Sequence, residues 1–376
     1  MKASSNILFL TGTRADFGKL KPLILSASQL ESAKVKIFAT GMHLQPNYGL
    51  TIKEVEKLGI PVFPFVNFSF GDSMSQVVSK TVSGLADYLR SFPIDFLVIH
   101  GDRSEALAGA IVGSLNNVRV IHVEGGELSG TVDESLRHAI TKLSHIHLVS
   151  NEGAKNRVVG LGENPKTVFE IGSPELDIMF SDQLPTLIEV RQRYELTELK
   201  HCIFVVHPVT TQEPERLAMA TREILTNLLS RGDLQVVAIL PNNDNGAAFI
   251  LSEIERHKGH PLLRVIPSMR FEHYLSLLKA AEFIIGNSSS GVREAPAFGT
   301  PSLNIGSRQS RRAQSESIID IDEAEVQNLS KFIDGIQDRK FPIASLFGDG
   351  RAADRFLRLL ADGSFYEAPL QKQFYE

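Results

Sequence analysis

The stretch FLVIHGDRSEALAGAIVGSLNNVRVIHVEGGE, residues 96–127, decides the fold. It opens on the apolar run Phe96–Ile99 and passes through the polar turn His100–Glu105. It continues as an amphipathic segment, Glu105–Leu115, and returns to a second apolar run, Val118–Val123. Runs rich in Val, Ile and Phe on both faces suit strands buried in a parallel sheet, and the segment between them reads as the crossover helix. The same rhythm extends outward in both directions. Ile7–Leu10, Val35–Ala39, Ile146–Val149 and Val168–Ile171 read as further strands, and Glu134–Leu143 as a helix. It pauses over residues 172–200, where Gly172, Pro174, Pro185 and the charged helical stretch Leu187–Tyr194 suggest a linker. It restarts with strands at Cys202–Val206, Leu234–Leu240, Leu263–Ile266, Phe283–Ile285 and Pro301–Asn304. Helices are expected at Pro214–Leu229, Ala247–His257, Phe271–Ala281 and Gly291–Phe298. The fold class is α/β: two Rossmann-like doubly wound domains, residues 1–175 and 176–376, facing across a cleft. The amphipathic helix Arg351–Leu360 is expected to pack back on the first.

Composition agrees. A chain of 376 residues, 43% hydrophobic and 22% charged, can bury two cores. Thirty-nine Lys and Arg stand against 44 Asp and Glu, a net charge of −5, which excludes a global basic field for nucleic acid or an anionic membrane. Cys202 is the single cysteine, so no intramolecular disulfide forms, and its apolar run makes it a core residue. No signal-peptide core and no run of roughly 18 apolar residues is present. A cytoplasmic soluble protein is expected, with neither nucleic-acid nor membrane partners.

In open parallel sheets, ligands bind beyond the carboxyl ends of the strands. The first strand runs into Thr11–Gly12–Thr13–Arg14, small residues and a cation before a helix, which reads as an anion site of backbone N–H groups plus Arg14. Neither GxGxxG nor a P-loop is present. Asp102 and Arg103 follow one strand, Glu124 follows the next, and Asp133 lies shortly after. Asp102, Glu124 and Asp133 can converge, and crowded carboxylates drive each other's pKa apart, preparing an acid and a base. A helix-capping role is the plainer reading of Asp133. His100, His122, His145 and His147 raise a competing metal reading, but no ligand set has motif spacing, and no metal is expected. In the second half, His207 at a strand end can act as an acid or hold a phosphate. Pro241–Gly246 is a polar turn rich in donors. The block Gly286–Ala295 carries an apolar strand through three serines into a helix. It reads as an anion cradle, with Glu294 placed to accept from a ribose diol. Arg308, Arg311 and Arg312 add positive charge. A nucleotide-sugar fits both halves.

In order, the blocks TGTRADFGKLKPL (11–23), HGDRSEALAGA (100–110), HVEGGELSGTVDESLRHAITKLSHIH (122–147), GSPELD (172–177), HPVTT (207–211), PNNDNG (241–246) and GNSSSGVREAPAFGTP (286–301) are similar to those of the hydrolysing UDP-N-acetylglucosamine (UDP-GlcNAc) 2-epimerases of bacterial sialic acid synthesis, the NeuC family. The resemblance covers essentially the whole length and implies the two-domain glycosyltransferase-B fold. It implies removal of the sugar C2 proton and departure of UDP to give 2-acetamidoglucal. Hydration with inverted C2 configuration then releases N-acetylmannosamine. By resemblance, Asp102, Glu124 and Asp133 are the catalytic carboxylates. Arg14, Arg103 and His207 hold the diphosphate or assist its departure. Ser288 and Ser289 bind phosphate and Glu294 the ribose. Asn242, Ser268, Met269 and Arg308 make further UDP contacts, those of Ser268 and Met269 largely through backbone. The resemblance implies no cofactor and a homodimer or homotetramer. The kinase domain and the CMP-sialic acid inhibition of the animal relatives are not expected. Non-hydrolysing relatives carry Glu where Asp133 stands. A sister enzyme acting on a 2,4-diacetamido-trideoxyhexose nucleotide, a glycosyltransferase of the same fold and a non-catalytic nucleotide-sugar binder are the alternatives.

Overall fold

The computed structural model describes residues 4–69, 71–129, 132–182, 184–209, 212–241, 246–310, 312–339 and 341–376. They form two compact units. The first gathers Met1–Glu127, Asp133–Ser181 and Phe347–Glu376, the second Leu128–Val132 and Asp182–Leu346.

The first unit carries seven parallel strands: β1 Ser5–Thr11, β2 Ala33–Ala39, β3 Val62–Pro64, β4 Phe96–His100, β5 Arg119–Val123, β6 Ile146–Val149 and β7 Val168–Glu170. Their order is β3-β2-β1-β4-β5-β6-β7. Its helices are α1 Arg14–Ala27, α2 Ile52–Glu56, α3 Met74–Ser91, α4 Ser104–Leu115, α5 Val132–Leu143, α6 Glu152–Gly160 and α7 Pro174–Met179. Successive side chains of a strand point to opposite faces. On β1, Ile7 and Phe9 therefore enter one core with Leu20, Leu23 and Ile24 of α1. Leu8 and Leu10 enter another with Leu85 of α3 and Ala106 and Ala110 of α4. All four β1 side chains are buried, as a sheet covered on both faces requires.

The second unit begins with α8 Leu187–Tyr194 and repeats the plan with β8 His201–Val205, α9 Pro214–Arg231, β9 Gln235–Ile239, α10 Ala247–Arg256, β10 Leu263–Ile266, α11 Phe271–Ala280, β11 Phe283–Gly286, α12 Glu294–Ala297, β12 Ser302–Ile305, β13 Ile318–Ile321 and α13 Leu329–Ile336. The order is β10-β9-β8-β11-β12-β13, all parallel. Cys202 and Phe204 face one core and Ile203 and Val205 the other. The order in which successive strands are added reverses between β1 and β4 in the first sheet and between β8 and β11 in the second. These are the topological switch points where ligand crevices open.

α14, Ala352–Asp362, lies in the first unit, where Phe356 meets Phe9 edge-on at 6.4 Å. Asp177 of α7 caps it, accepting from the N–H groups of Ala352 (2.9 Å) and Ala353 (2.7 Å).

The structure departs from the sequence reading in three places. Strands β3 and β13 were not anticipated. The stretch 172–200 carries the unanticipated helix α7 ahead of the expected helical stretch, which forms as α8. The helix expected over 291–298 is instead a 3-10 turn, Ser289–Gly291, followed by the four-residue α12. Pro296 contributes no N–H donor, and Gly299 at φ 66° turns the chain away.

Candidate active site

At the first switch point, Gly12, Thr13 and Arg14 lead from β1 into α1. The expected cradle of backbone N–H groups is not open there. Asp16 accepts from Gly12 N at 3.0 Å, from Thr13 N at 3.0 Å and from Thr11 Oγ1 at 2.7 Å. It also completes a capping box with Thr13. The chain's own carboxylate fills the anion site, so Arg14 is what that turn offers a ligand. Thr11 Oγ1 gives its one proton to Asp16. The neighbouring His43 Nε2, 2.9 Å away, is therefore the donor, and His43 Nδ1 accepts from Thr51 Oγ1 at 2.6 Å. Burial holds His43 below the usual histidine range, against the pull of Asp16.

Asp102 and Glu124 follow β4 and β5, which pair in parallel with His100 beside Val123. Their carboxylates are matched to donors rather than left to repel each other. Asp102 receives the guanidinium of Arg137, whose other nitrogen reaches the Glu127 carbonyl at 3.0 Å. Glu124 accepts from His100 Nε2 at 3.0 Å and from the Ser173 hydroxyl, with Lys19 Nζ 3.5 Å away. Lys19 also holds Glu175 at 2.5 Å. The Glu124 backbone lies in the left-handed region at φ 62°, uncommon for a non-glycine residue. Such strain persists where surroundings over-determine it, and it clusters at functional sites. Asp133 stands in the first turn of α5, four residues before Arg137 and so on the same helical face. Arg103 stands at the N-cap position of α4, with its Nε 3.8 Å from buried Glu105.

At the second switch point, β11 ends in Gly286 at φ 133°, where a Cβ would overlap the Val205 carbonyl. The two strand ends therefore approach closely, and Asn287 ties them. Its side chain accepts from His207 N at 2.7 Å and donates to the His207 carbonyl at 2.8 Å. Its own carbonyl accepts from Arg308 at 3.2 Å and Gln309 at 3.0 Å. Ser288 caps the 3-10 turn through Ser290 N. The N–H groups of Gly291, Val292 and Arg293 turn inward to the carbonyls of Ser288 and Ser289. The expected contribution of a long helix dipole is thus absent, and the serine hydroxyls carry the polar surface. They are linked: Tyr274 Oη lies 2.5 Å from Ser290 Oγ, which is 3.0 Å from Ser288 Oγ. Burial, then the nearby Glu294, push the Tyr274 hydroxyl far above its usual range, so it stays protonated. Glu294 is buried in α12, Ser268 is exposed, and the Met269 side chain is packed in the core. Asn242 and Arg311 lie outside the described residues.

The histidines are structural. His122 Nε2 donates to Gly101 O at 2.8 Å and Nδ1 accepts from Thr141 at 3.1 Å, and burial takes it down to about 3. His147 is held by Glu163 at 3.0 Å and His145 by the Leu370 carbonyl at 3.2 Å. No cluster of metal-ligating side chains occurs among the described residues. Sequence reasoning left Lys19, Ser173, Glu175, Arg137 and Asn287 without roles, although all five lie inside quoted motifs.

Comparison with known proteins adds a family. The model described as Epimerase_2, UDP-N-acetylglucosamine 2-epimerase, matches residues 26–361. The chain is similar to a protein of Neisseria meningitidis serogroup B named UDP-N-acetylglucosamine 2-epimerase, 42% identical over 378 residues and covering 98% of each chain. It is also similar to a Legionella pneumophila protein named UDP-N,N'-diacetylbacillosamine 2-epimerase (hydrolyzing), 33% identical over 94% of this chain and 95% of that one. Among solved structures, a UDP-GlcNAc 2-epimerase from Neisseria meningitidis bound to UDP-GlcNAc superposes with a TM-score of 0.81. It is 18% identical and covers 95% of this chain and 100% of its own. That likeness is one of fold, and the fold is the glycosyltransferase-B type.

Proposed function

The chain belongs to the UDP-N-acetylglucosamine 2-epimerase family, and we propose that it is a hydrolysing member that converts UDP-GlcNAc and water to UDP and N-acetylmannosamine, serving sialic acid synthesis. The observation that carries the reading is Glu124: a buried carboxylate in a left-handed backbone, gripped by His100, Ser173 and Lys19 beside the first switch point. Asp102 with its Arg137, and Asp133 on the same helical face, complete the acid–base set. The 33% relative named as hydrolyzing supports release of a free sugar.

The chemistry has two stages. One carboxylate takes the C2 proton while the C1–O bond to UDP breaks, leaving 2-acetamidoglucal. The C2 proton is weakly acidic, so the leaving diphosphate needs assistance. Arg14, Arg103, His207, Ser288 and Ser289 supply cations and hydroxyl donors, each well-placed group contributing roughly 3–4 kcal/mol. Water then adds across the double bond, hydroxyl to C1 and proton to C2 from the opposite face. Glu294 holds the ribose diol, and Asn242, Ser268, Met269 and Arg308 make the remaining nucleotide contacts.

NMR of the reaction in D2O tests this. Free UDP and N-acetylmannosamine bearing deuterium at C2 are expected; recovery of UDP-N-acetylmannosamine alone would overturn the hydrolysing assignment. The 33% relative also motivates a second substrate, a 2,4-diacetamido-trideoxyhexose nucleotide. Parallel rates on UDP-GlcNAc and UDP-N,N'-diacetylbacillosamine separate the two.

A further inference from the structure

α5 carries Asp133 and Arg137 near its front, and its rear is gripped by a segment far away in sequence. Helix ends leave carbonyls without intrahelical partners. Here Lys372 Nζ donates to the carbonyls of Lys142 (2.8 Å) and Thr141 (3.3 Å), placing a cation at the negative end of the helix. The same ammonium meets Glu163 Oε2 at 2.5 Å. Glu163, only 2% exposed, also takes Lys142 at 2.7 Å and His147 at 3.0 Å. Burial works to raise the Glu163 carboxyl, but His147 and the two lysines outweigh it and hold it at about 2.

The segment bringing Lys372 is fastened along its length. Arg119 of β5 donates to the Ala368 carbonyl at 2.8 Å. His145 Nδ1 accepts from Val120 N, so its Nε2 is the donor to the Leu370 carbonyl. Tyr375 N donates to the Gly162 carbonyl at 3.0 Å. The Phe374 ring covers Gly162, where any Cβ would overlap it, and Lys142 Nζ stands 5.4 Å from that ring. Residues 366–376 thus bind β5, the approach to β6, the end of α5 and the turn after α6. At 1.5 Å per residue, Lys142 sits about 13 Å along the helix from Asp133. A rigid helix transmits an axial shift at one end to the other.

We propose that residues 366–376 are a strap that fixes the axial position of α5, with Lys372 as a positioning residue for Asp133 and for the Arg137–Asp102 pair. The proposal rests on the reading of Asp102 and Asp133 as catalytic groups. A misplacement near 1 Å costs on the order of 10²-fold in rate. Lys372→Met removes the cation and keeps the chain length, and Lys372→Arg retains charge and donors. The full chain carrying each change is measured for kcat and KM with UDP-GlcNAc, for UDP affinity by calorimetry, and for amide exchange of α5. Lys372→Met is expected to lower kcat about 10- to 100-fold. KM and UDP affinity should stay within about twofold, α5 exchange should rise, and Lys372→Arg should recover most of the rate. Unchanged α5 exchange in Lys372→Met, or raised exchange with wild-type kcat, overturns the strap. So does a parallel loss of kcat and UDP affinity, the mark of general destabilisation. A wild-type protein that does not turn over UDP-GlcNAc defeats the functional reading instead, and α5 exchange still decides the strap.

Discussion

Glu124 is the side chain on which the proposed chemistry leans most. Its backbone sits at φ 62° and its carboxylate is fixed from three directions, so no rotamer search precedes reaction. Glu124→Gln keeps the shape and removes the charge. The expected outcome is a fall in kcat of roughly 10²–10⁴ with UDP affinity little altered, measured by UDP release and calorimetry. Gly286 makes the opposite kind of demand, because the Val205 carbonyl occupies the space of a Cβ. Gly286→Ala should pry β8 from β11 and destabilise the second unit by about 3 kcal/mol or more, seen as loss of soluble protein or a lower Tm. The placement of Asp102, Glu124 and His207 at strand ends was legible because each lies within two residues of an apolar strand. The roles of Lys19, Ser173 and Glu175 were not. Lys19 and Ser173 lie 105 and 49 residues from Glu124 in sequence, and only the folded sheet brings them to it.

Among the elements, the buried central strands announced themselves, while β3 and β13 are half-exposed edge strands, β3 ending in Pro64 and β13 interrupted by Asp320. The serine block was read as a helix N-terminus. Its hydroxyls are where the reading put them, but its N–H groups close on local carbonyls and α12 lasts one turn. The acidic end of GSPELD shows how an element is started from elsewhere: Asp177 receives the first N–H groups of α14. Asp177→Ala should cost about 1–2 kcal/mol, lowering Tm by a few degrees in a scanning experiment while kcat stays unchanged. A change confined to kcat would show instead that Asp177 acts on the chemistry.

For the molecule as a whole, acid is the sensitive variable. His122 and His145 are buried neutral, burial lowering them to about 3 and about 4 against 6.5 in the open chain. The unfolded chain therefore binds protons first, so stability is complete above pH 6.5 and falls as pH drops toward those values. Each such histidine contributes a slope of up to about 1.4 kcal/mol per pH unit. Urea titrations between pH 7 and 4 should show this decline, and His122→Gln should flatten it; an unchanged slope would mean that His122 is charged in the native state. Two sheets of one strand order in a single chain also pose a problem of polarity: what tells a nucleotide which half is its own? Asp16 answers it. By taking up the N–H groups of Gly12 and Thr13, Asp16 closes the backbone of the first β–α turn and leaves Arg14 as its cation, while the turn after β11 presents linked serine hydroxyls. The two sheets thus end in different chemistry, a side-chain cation in one and hydroxyls in the other, and a ligand with unlike ends would meet a different partner at each.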